Sequence, residues 1–501
     1  METDRSFHIS DVKKMMRCPK FFWNALREEA QPFQPFARLD EAVTELACKK
    51  LGIEDYFLGQ KNDTSEMTQQ KLDAGQWVVK GRFEYQNLRI KLPIVHKTEE
   101  GLDVFFVFIG NYPKDDDVLY YSSNLWVMKK LGYEIHDIKI IHLNGNYVRE
   151  DELDVDQLFI VSDSFYNDKG RVTKPIFNHV MSRMIDLGET LDYMQEVAIS
   201  EDVPSIRTKK CVRRTKCPYY DSCFPNEKQE EDDSILTLVS SQHKYDMAKE
   251  GLRRLKDADL ERVEGTRQQY AQIMASKNGG LYVDRLPLKM WLNDNIKFPV
   301  AFLDFEWDTY AVPPYKGLKP FSVVCFEYSI HILKEDGSLT HHDFIGTQDC
   351  REEFIENLIH DIGSAGSVVA FNADGAEKIR LKELADQFPH YRKELDRICD
   401  AMVDLAMPFQ LGMVYDVRMR GLYSLKVLLS VFSDSLSYQD LSIHHGMDAV
   451  YSWRMMDKKQ ADNEEELKQR LSEYCGMDTY SMVVLYKWLI SHAQEDKNET
   501  C

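Results

Sequence analysis

Pro299-Val-Ala-Phe-Leu-Asp-Phe-Glu-Trp307 is the stretch on which the reading of this chain turns. It is a short apolar run of strand length, and side chains two apart on a strand project from the same face. Asp304 and Glu306 therefore share one face. Far downstream, Tyr474-Cys-Gly-Met-Asp478 lies in a helical pattern over 467–490, where a spacing of four stacks the phenol and the carboxylate on one side. A strand and a helix thus each present acids, and this pattern is that of a two-metal phosphodiesterase.

Working outward from 299–307, the pattern predicts strands over 300–306 and 321–333, a helix over 351–362, a strand over 367–371 and then helices. Hairpin strands followed by helices alternating with parallel strands match a ribonuclease H-like fold, with acids on its first strand facing a groove. Phosphodiester cleavage needs an activated water and stabilisation of the leaving oxygen, and two divalent cations about 3.5–4 Å apart supply both. Hard oxygen ligands suit Mg²⁺ or Mn²⁺. Asp304, Glu306 and Asp478 fill three ligand places.

These residues resemble the DnaQ-like exonuclease superfamily, whose DEDDy branch carries Asp-x-Glu on the first strand and Tyr-x-x-x-Asp on the last helix. The family's middle motif, Asn-x-x-Phe-(Asp or Glu), corresponds to Val369-Ala-Phe-Asn-Ala-Asp-Gly-Ala-Glu-Lys378, which carries one extra residue. Glu377 is the preferred third carboxylate and Asp374 the alternative. Leu303-Asp-Phe-Glu306, Tyr328-Ser-Ile-His331, Val403-Asp-Leu405, Gly421-Leu-Tyr-Ser-Leu-Lys426 and Tyr474-Cys-Gly-Met-Asp478 further resemble a bacterial family of RecB-like nucleases, a likeness that spans nearly the whole chain. The resemblance implies that Tyr474 orients the attacking water, that the acids hold metal and that Asp404 supports the fold. Lys426 reads either as a phosphate contact or as a solvated lysine at a helix start, the latter preferred. His331, a lone histidine at a strand end, reads as structural.

Residues 1–226 alternate helix and strand: a helix over 10–28, then strand-like runs over 77–92, 103–109 and 138–143. Cys211, Cys217 and Cys223 stand at six-residue steps in a basic, loop-like segment, and three thiols want a fourth. Cys18, followed by Pro19 as Cys217 is by Pro218, is the candidate for that fourth, with ordinary free thiols as the alternative to a cluster. Four thiolates suit [4Fe–4S] or tetrahedral zinc and would staple the two ends of the domain together. The arrangement is similar to the AddB type, one early and three late cysteines around a RecB-like core, which implies iron–sulfur with Zn²⁺ as the alternative. The other six cysteines read as packing or surface thiols.

That family's first domain carries an Asp on one strand and Glu-x-Lys on the next. The corresponding runs here, Arg89-Ile-Lys-Leu-Pro-Ile-Val95 and Val104-Phe-Phe-Val-Phe-Ile-Gly110, offer neither. A degenerate PD-(D/E)xK restriction-endonuclease-like domain is expected, with Glu84, Asp103 and Asp115 as the acids left nearby. Residues 227–295, an acidic run and short helices, read as a linker and helical connector, and 296–501 as the ribonuclease H-like domain. The fold class is α/β.

With 501 residues the chain exceeds one ordinary core. No apolar run approaches the roughly 18 residues of a membrane span, and Met1-Glu-Thr-Asp-Arg lacks a signal-peptide start, so a cytoplasmic protein without membrane contact is expected. The net charge of −20 opposes a nucleic-acid partner. From residue 296 onward 21 Lys and Arg face 34 Asp and Glu. Binding must then rely on local basic patches and bound cations. The expected function is a Mg²⁺- or Mn²⁺-dependent 3′-5′ exonuclease on single-stranded or frayed DNA or RNA, with protein partners open. A non-catalytic nucleic-acid-binding or scaffold protein and a junction endonuclease are the rivals.

Overall fold

Two separate sets of strands gather the apolar residues, and the chain divides accordingly. One unit is Met1–Cys223 with Tyr310–Ser322; the other is Phe224–Thr309 with Val323–Cys501. The computed structural model describes residues 5–28, 39–211, 216–225, 232–433, 436–438, 441–443, 446–457 and 463–494.

In the first unit six strands lie side by side in chain order: β1 (Phe57–Leu58), β2 (Val78–Tyr85), β3 (Leu88–Lys97), β4 (Leu102–Phe108), β5 (Ile135–Leu143) and β6 (Phe159–Ser162). The run over 77–92 is a hairpin rather than one strand. Gln86 and Asn87 take left-handed φ values of 46° and 63°, the twist that lets a two-residue turn join β2 to β3. Phe83, Leu92, Val104 and Phe106 bury one face of the sheet, and Val79, Ile94, Ile141 and Leu143 bury the other. Ala311, Val312 and Phe321, from the excursion Tyr310–Ser322, pack against that second face. A small hairpin of β7 (Ser164–Tyr166) and β8 (Val172–Pro175) follows. The helix expected over 10–28 is broken into Ile9–Arg17 and Pro19–Ala25. A residue before proline is pushed out of the helical region, and Cys18 accordingly has φ −171° and ψ 129°.

The second unit takes in residues read as a connector. Ile235, Leu238, Met247, Ala271 and Leu288 share a core with Val300, Phe302, Val414 and Tyr486, so these short helices bury their apolar sides against the sheet instead of bridging two domains. After β9 (Leu281–Val283) come β10 (Val300–Thr309), β11 (Val323–Leu333), β12 (Leu339–Ile345), β13 (Ser367–Ala370) and β14 (Met402–Asp404). Their order across the sheet is β12-β11-β10-β13-β14. The first three are antiparallel, while β13 and β14 run parallel to β10. β15 (Val414–Asp416) returns to pair with β9.

Alternation along β10 decides what faces where. Ala301, Leu303 and Phe305 pack with the helices Arg351–Ile362, Glu377–Gln387 and Arg392–Asp400. Val300 and Phe302 face Met482, Val483 and Tyr486 of the C-terminal helix Glu464–Gln494. Asp304 and Glu306 continue that second stripe, beneath the helix that carries Tyr474 and Asp478. The architecture is α/β with mixed sheets. No helix among the described residues is long and apolar enough to cross a membrane.

Candidate metal centre

Asp304, Glu306 and Asp478 each bring a carboxylate oxygen within 4.8 Å of the others. Strand alternation supplies the first two, and the C-terminal helix, laid across β10 and β11, supplies the third. Tyr474, one turn before Asp478, is buried on the same side. Glu377 is the first residue of the helix Glu377–Gln387 and only 2 % exposed, and its Oε2 has no hydrogen-bond partner among the described residues. Asp374 instead is exposed and paired with Lys378 at 2.8 Å, so Glu377 is the acid turned inward. The turn between β13 and this helix is held by its own backbone geometry. Asn372 adopts a left-handed φ of 63°, and Asp404 Oδ1 accepts the backbone N–H groups of Asn372 at 2.8 Å and Ala406 at 2.9 Å. Asp404 is thereby a brace for the loop.

Crowding acids away from water raises their proton affinity. Burial pushes Asp304 well above the ordinary carboxylate range, with Asp478, Glu377 and Glu306 adding repulsion. Burial, then Asp478, raises Glu306 to about 8, with Lys426 opposing. Glu377 is raised to about 8, again chiefly by burial. Asp478 rises only to about 6, because Tyr438 and Lys426 counter the effect of burial. Burial and the neighbouring carboxylates also hold the Tyr474 and Tyr438 phenols firmly protonated. The arrangement is a cluster of carboxyl groups whose ionised form lacks compensating positive charge.

Several members were not visible in sequence. Tyr438 Oη donates to Asp478 Oδ1 at 2.5 Å and lies 3.3 Å from Ser481 Oγ. Cys475, taken as a packing thiol, donates from Sγ to Asp304 Oδ2 at 3.5 Å. Lys426 is not the solvated lysine preferred from sequence. It is half-buried, its Nζ donates to Tyr474 Oη at 3.4 Å, and it stands 5.1 Å from the ring centres of both Tyr438 and Tyr474. Gly446 opens the helix Gly446–Asp457 so near Glu306 that an added Cβ would lie 3.3 Å from Oε2. Glu327 is directly opposite Glu306 across the β10–β11 pair. His331 Nδ1 bonds Thr479 Oγ1 at 2.8 Å and its ring stacks on His341 at 4.4 Å, in keeping with a structural histidine.

In the first unit the three remaining acids are dispersed. Glu84 accepts from Ser6 Oγ at 2.7 Å, Asp103 pairs with His136 at 2.7 Å, and Asp115 is held by Lys174 and, at 3.4 Å, by His179. The segments that carry the cysteines touch, but among the described residues no three of the sulfurs lie within 4.8 Å of one another. Lys210 Nζ donates to the Met16 and Arg17 carbonyls at 3.2 and 3.4 Å, Phe21 meets Tyr219 edge-on at 5.0 Å, and Cys217 N–H donates to Cys211 O at 2.8 Å. Cys18, Cys211, Cys217 and Cys223 are free thiols, all partly exposed. Burial pushes the Cys217 thiol above its ordinary value.

A family model described as "Domain of unknown function (DUF2779)" matches residues 301–424, from within β10 to just before Lys426, or 124 of 501 residues. No curated protein matches the chain. Among solved structures the chain is similar to the family B DNA polymerase from the hyperthermophilic archaeon Pyrobaculum calidifontis, at 13 % identity and a TM-score of 0.27, over 39 % of this chain and 25 % of that one. The chain thus spans a quarter of that polymerase's length, and a likeness of this size carries no argument about fold or activity.

Proposed function

We propose that the second unit is a ribonuclease H-like, DnaQ-like exonuclease of the DEDDy type, removing nucleotides from the 3′ end of single-stranded or frayed DNA or RNA with Mg²⁺ or Mn²⁺. One observation carries this reading: three carboxylates from β10 and the C-terminal helix meet within 4.8 Å, where burial and mutual repulsion disfavour their charge. The sheet, an antiparallel hairpin followed by parallel strands, supports the same fold reading.

The donor set fits hard divalent cations, because it is all oxygen and leaves Glu377 Oε2 buried without a partner. Asp304, Glu306 and Asp478 would hold them, with Glu377 close by. When bound, such cations activate water and stabilise the leaving oxygen. The chain's own residues do the rest. Tyr438 fixes Asp478 in one orientation through its 2.5 Å hydrogen bond. The protonated Tyr474 phenol positions the attacking water, and Lys426, beside it, offers a positive charge to the scissile phosphate. In the first unit, we take the RecB-like, AddB-type domain to have lost its catalytic acids, and its four cysteines to bind [4Fe–4S] or zinc as a staple. A cytoplasmic location goes with that reading, since reduced thiols are the form that binds metal.

The test is degradation of end-labelled single-stranded DNA and RNA by the full chain with Mn²⁺. Wild type should shorten label-bearing strands stepwise, and Asp304→Ala should stop this while keeping the far-UV spectrum and melting behaviour of a folded protein. Equal degradation by both would place the chemistry elsewhere. Binding by wild type without cleavage would favour the scaffold reading.

A further inference from the structure

Glu327 lies in Phe326-Glu-Tyr-Ser-Ile-His331, in the middle of β11. Directly opposed residues of an antiparallel pair project from the same face, so its side chain accompanies that of Glu306 toward the C-terminal helix. It is fully buried, and neither Oε1 nor Oε2 has a hydrogen-bond partner among the described residues. The hydroxyls along the same face are already engaged: Ser329 Oγ bonds His341 Nε2 at 2.9 Å and Thr479 Oγ1 at 2.8 Å, and Thr479 also meets His331. The charged groups that act on Glu327 are Glu306, Asp343 and Asp478, all acidic. A buried carboxylate is ordinarily retained with a cationic partner or a metal. Among the described residues no basic side chain is hydrogen-bonded to it.

We infer that Glu327 is a further ligand of the acidic centre, and that with Glu306 it holds one divalent cation beside another shared by Asp304, Glu306 and Asp478. The inference rests on the proposed nuclease site and extends it by a residue outside the three motifs that define that site. Glu306, paired to Glu327 across the strands and gathered with Asp304 and Asp478, is the acid placed to serve both ions. The ion class is Mg²⁺ or Mn²⁺, since every donor is oxygen.

Mn²⁺ titration of the full chain, followed by electron paramagnetic resonance, tests this apart from activity. Wild type should take up roughly two tight Mn²⁺ ions with the exchange-broadened spectrum of a pair about 3.5–4 Å apart. Glu327→Gln, which keeps the shape and removes the charge, should weaken one ion at least tenfold and leave the spectrum of an isolated ion. Asp304→Asn should weaken the ion shared by Asp304, Glu306 and Asp478. Glu327→Gln with wild-type stoichiometry and affinity, alongside an impaired Asp304→Asn, overturns the role of Glu327 and leaves the nuclease reading standing. Mn²⁺ uptake unaltered in both variants overturns the metal centre itself. Should Glu327→Gln not fold, Glu327→Asp decides: a ligand drawn back by one methylene weakens the second ion, and an unaltered second ion overturns the inference.

Discussion

Tyr438 bears on a single oxygen of Asp478, and its value can be bounded. A hydrogen bond to an ionised acceptor contributes about 1.5–3 kcal/mol, and each 1.4 kcal/mol is about tenfold in affinity. Tyr438→Phe removes the 2.5 Å contact together with the 3.3 Å approach to Ser481 Oγ, so the affinity for Mn²⁺ should fall roughly tenfold to a hundredfold in a direct titration. Unchanged affinity would make the phenol a bystander. The acids of β10 were legible because Asp-x-Glu on a strand and Tyr-x-x-x-Asp on a helix are local periods, fixed by backbone geometry alone. Tyr438 was not legible, since it stands forty residues before Asp478, beyond any local period. Glu327 hid for a related reason: its partner depends on how β10 and β11 align, and the thirteen residues of Tyr310–Ser322 between them leave that register undetermined in sequence.

Among the elements, the helix Gly446–Asp457 brings its first residue to Glu306 and is bolted down at its other end. Arg454 grips Asp308 of β10 through two hydrogen bonds of 2.5 and 2.6 Å, both groups buried. Trp453 stacks on Phe326 at 4.6 Å and donates Nε1 to Gly346 O at 2.8 Å. Arg454→Met would strand Asp308 as an unpaired buried charge, at a cost of about 3–5 kcal/mol. Urea denaturation of the variant should show a loss of that order, with Mn²⁺ affinity falling as the helix loosens from Glu306; a loss below about 1 kcal/mol would show that the pair is dispensable. Neither partner announces the other in sequence. The apolar strands and the break at Cys18 do follow from local rules, through alternation and through Pro19. β12 and β14 escaped notice because an edge strand with four exposed, polar positions and a strand of three residues carry too little pattern.

For the whole molecule the crowded carboxylates set a pH dependence. Glu306 and Glu377 have folded values of about 8, against about 4.3 in an unfolded chain. Between those values the native state binds more protons than the unfolded one, so stability falls as pH rises. The metal-free protein should therefore melt lower at pH about 8.5 than at about 5.5, and Mg²⁺ should restore most at the alkaline end, where the acids are bare. A metal-free melting temperature that climbs across this interval would contradict the electrostatics. The excursion Tyr310–Ser322 has a further consequence. Arg149 N–H donates to Leu318 O at 2.9 Å, Gly317 N–H donates to Arg149 O at 2.8 Å, and Arg149 Nη1 reaches Pro313 O at 2.7 Å, so these thirteen residues are woven into the first unit while their two ends are β10 and β11 of the second. The polypeptide passes between its halves three times. A protease that severed it once after Cys223 would produce two fragments on a denaturing gel and one particle in solution, and the gene cannot be cut into two independent parts at any single codon.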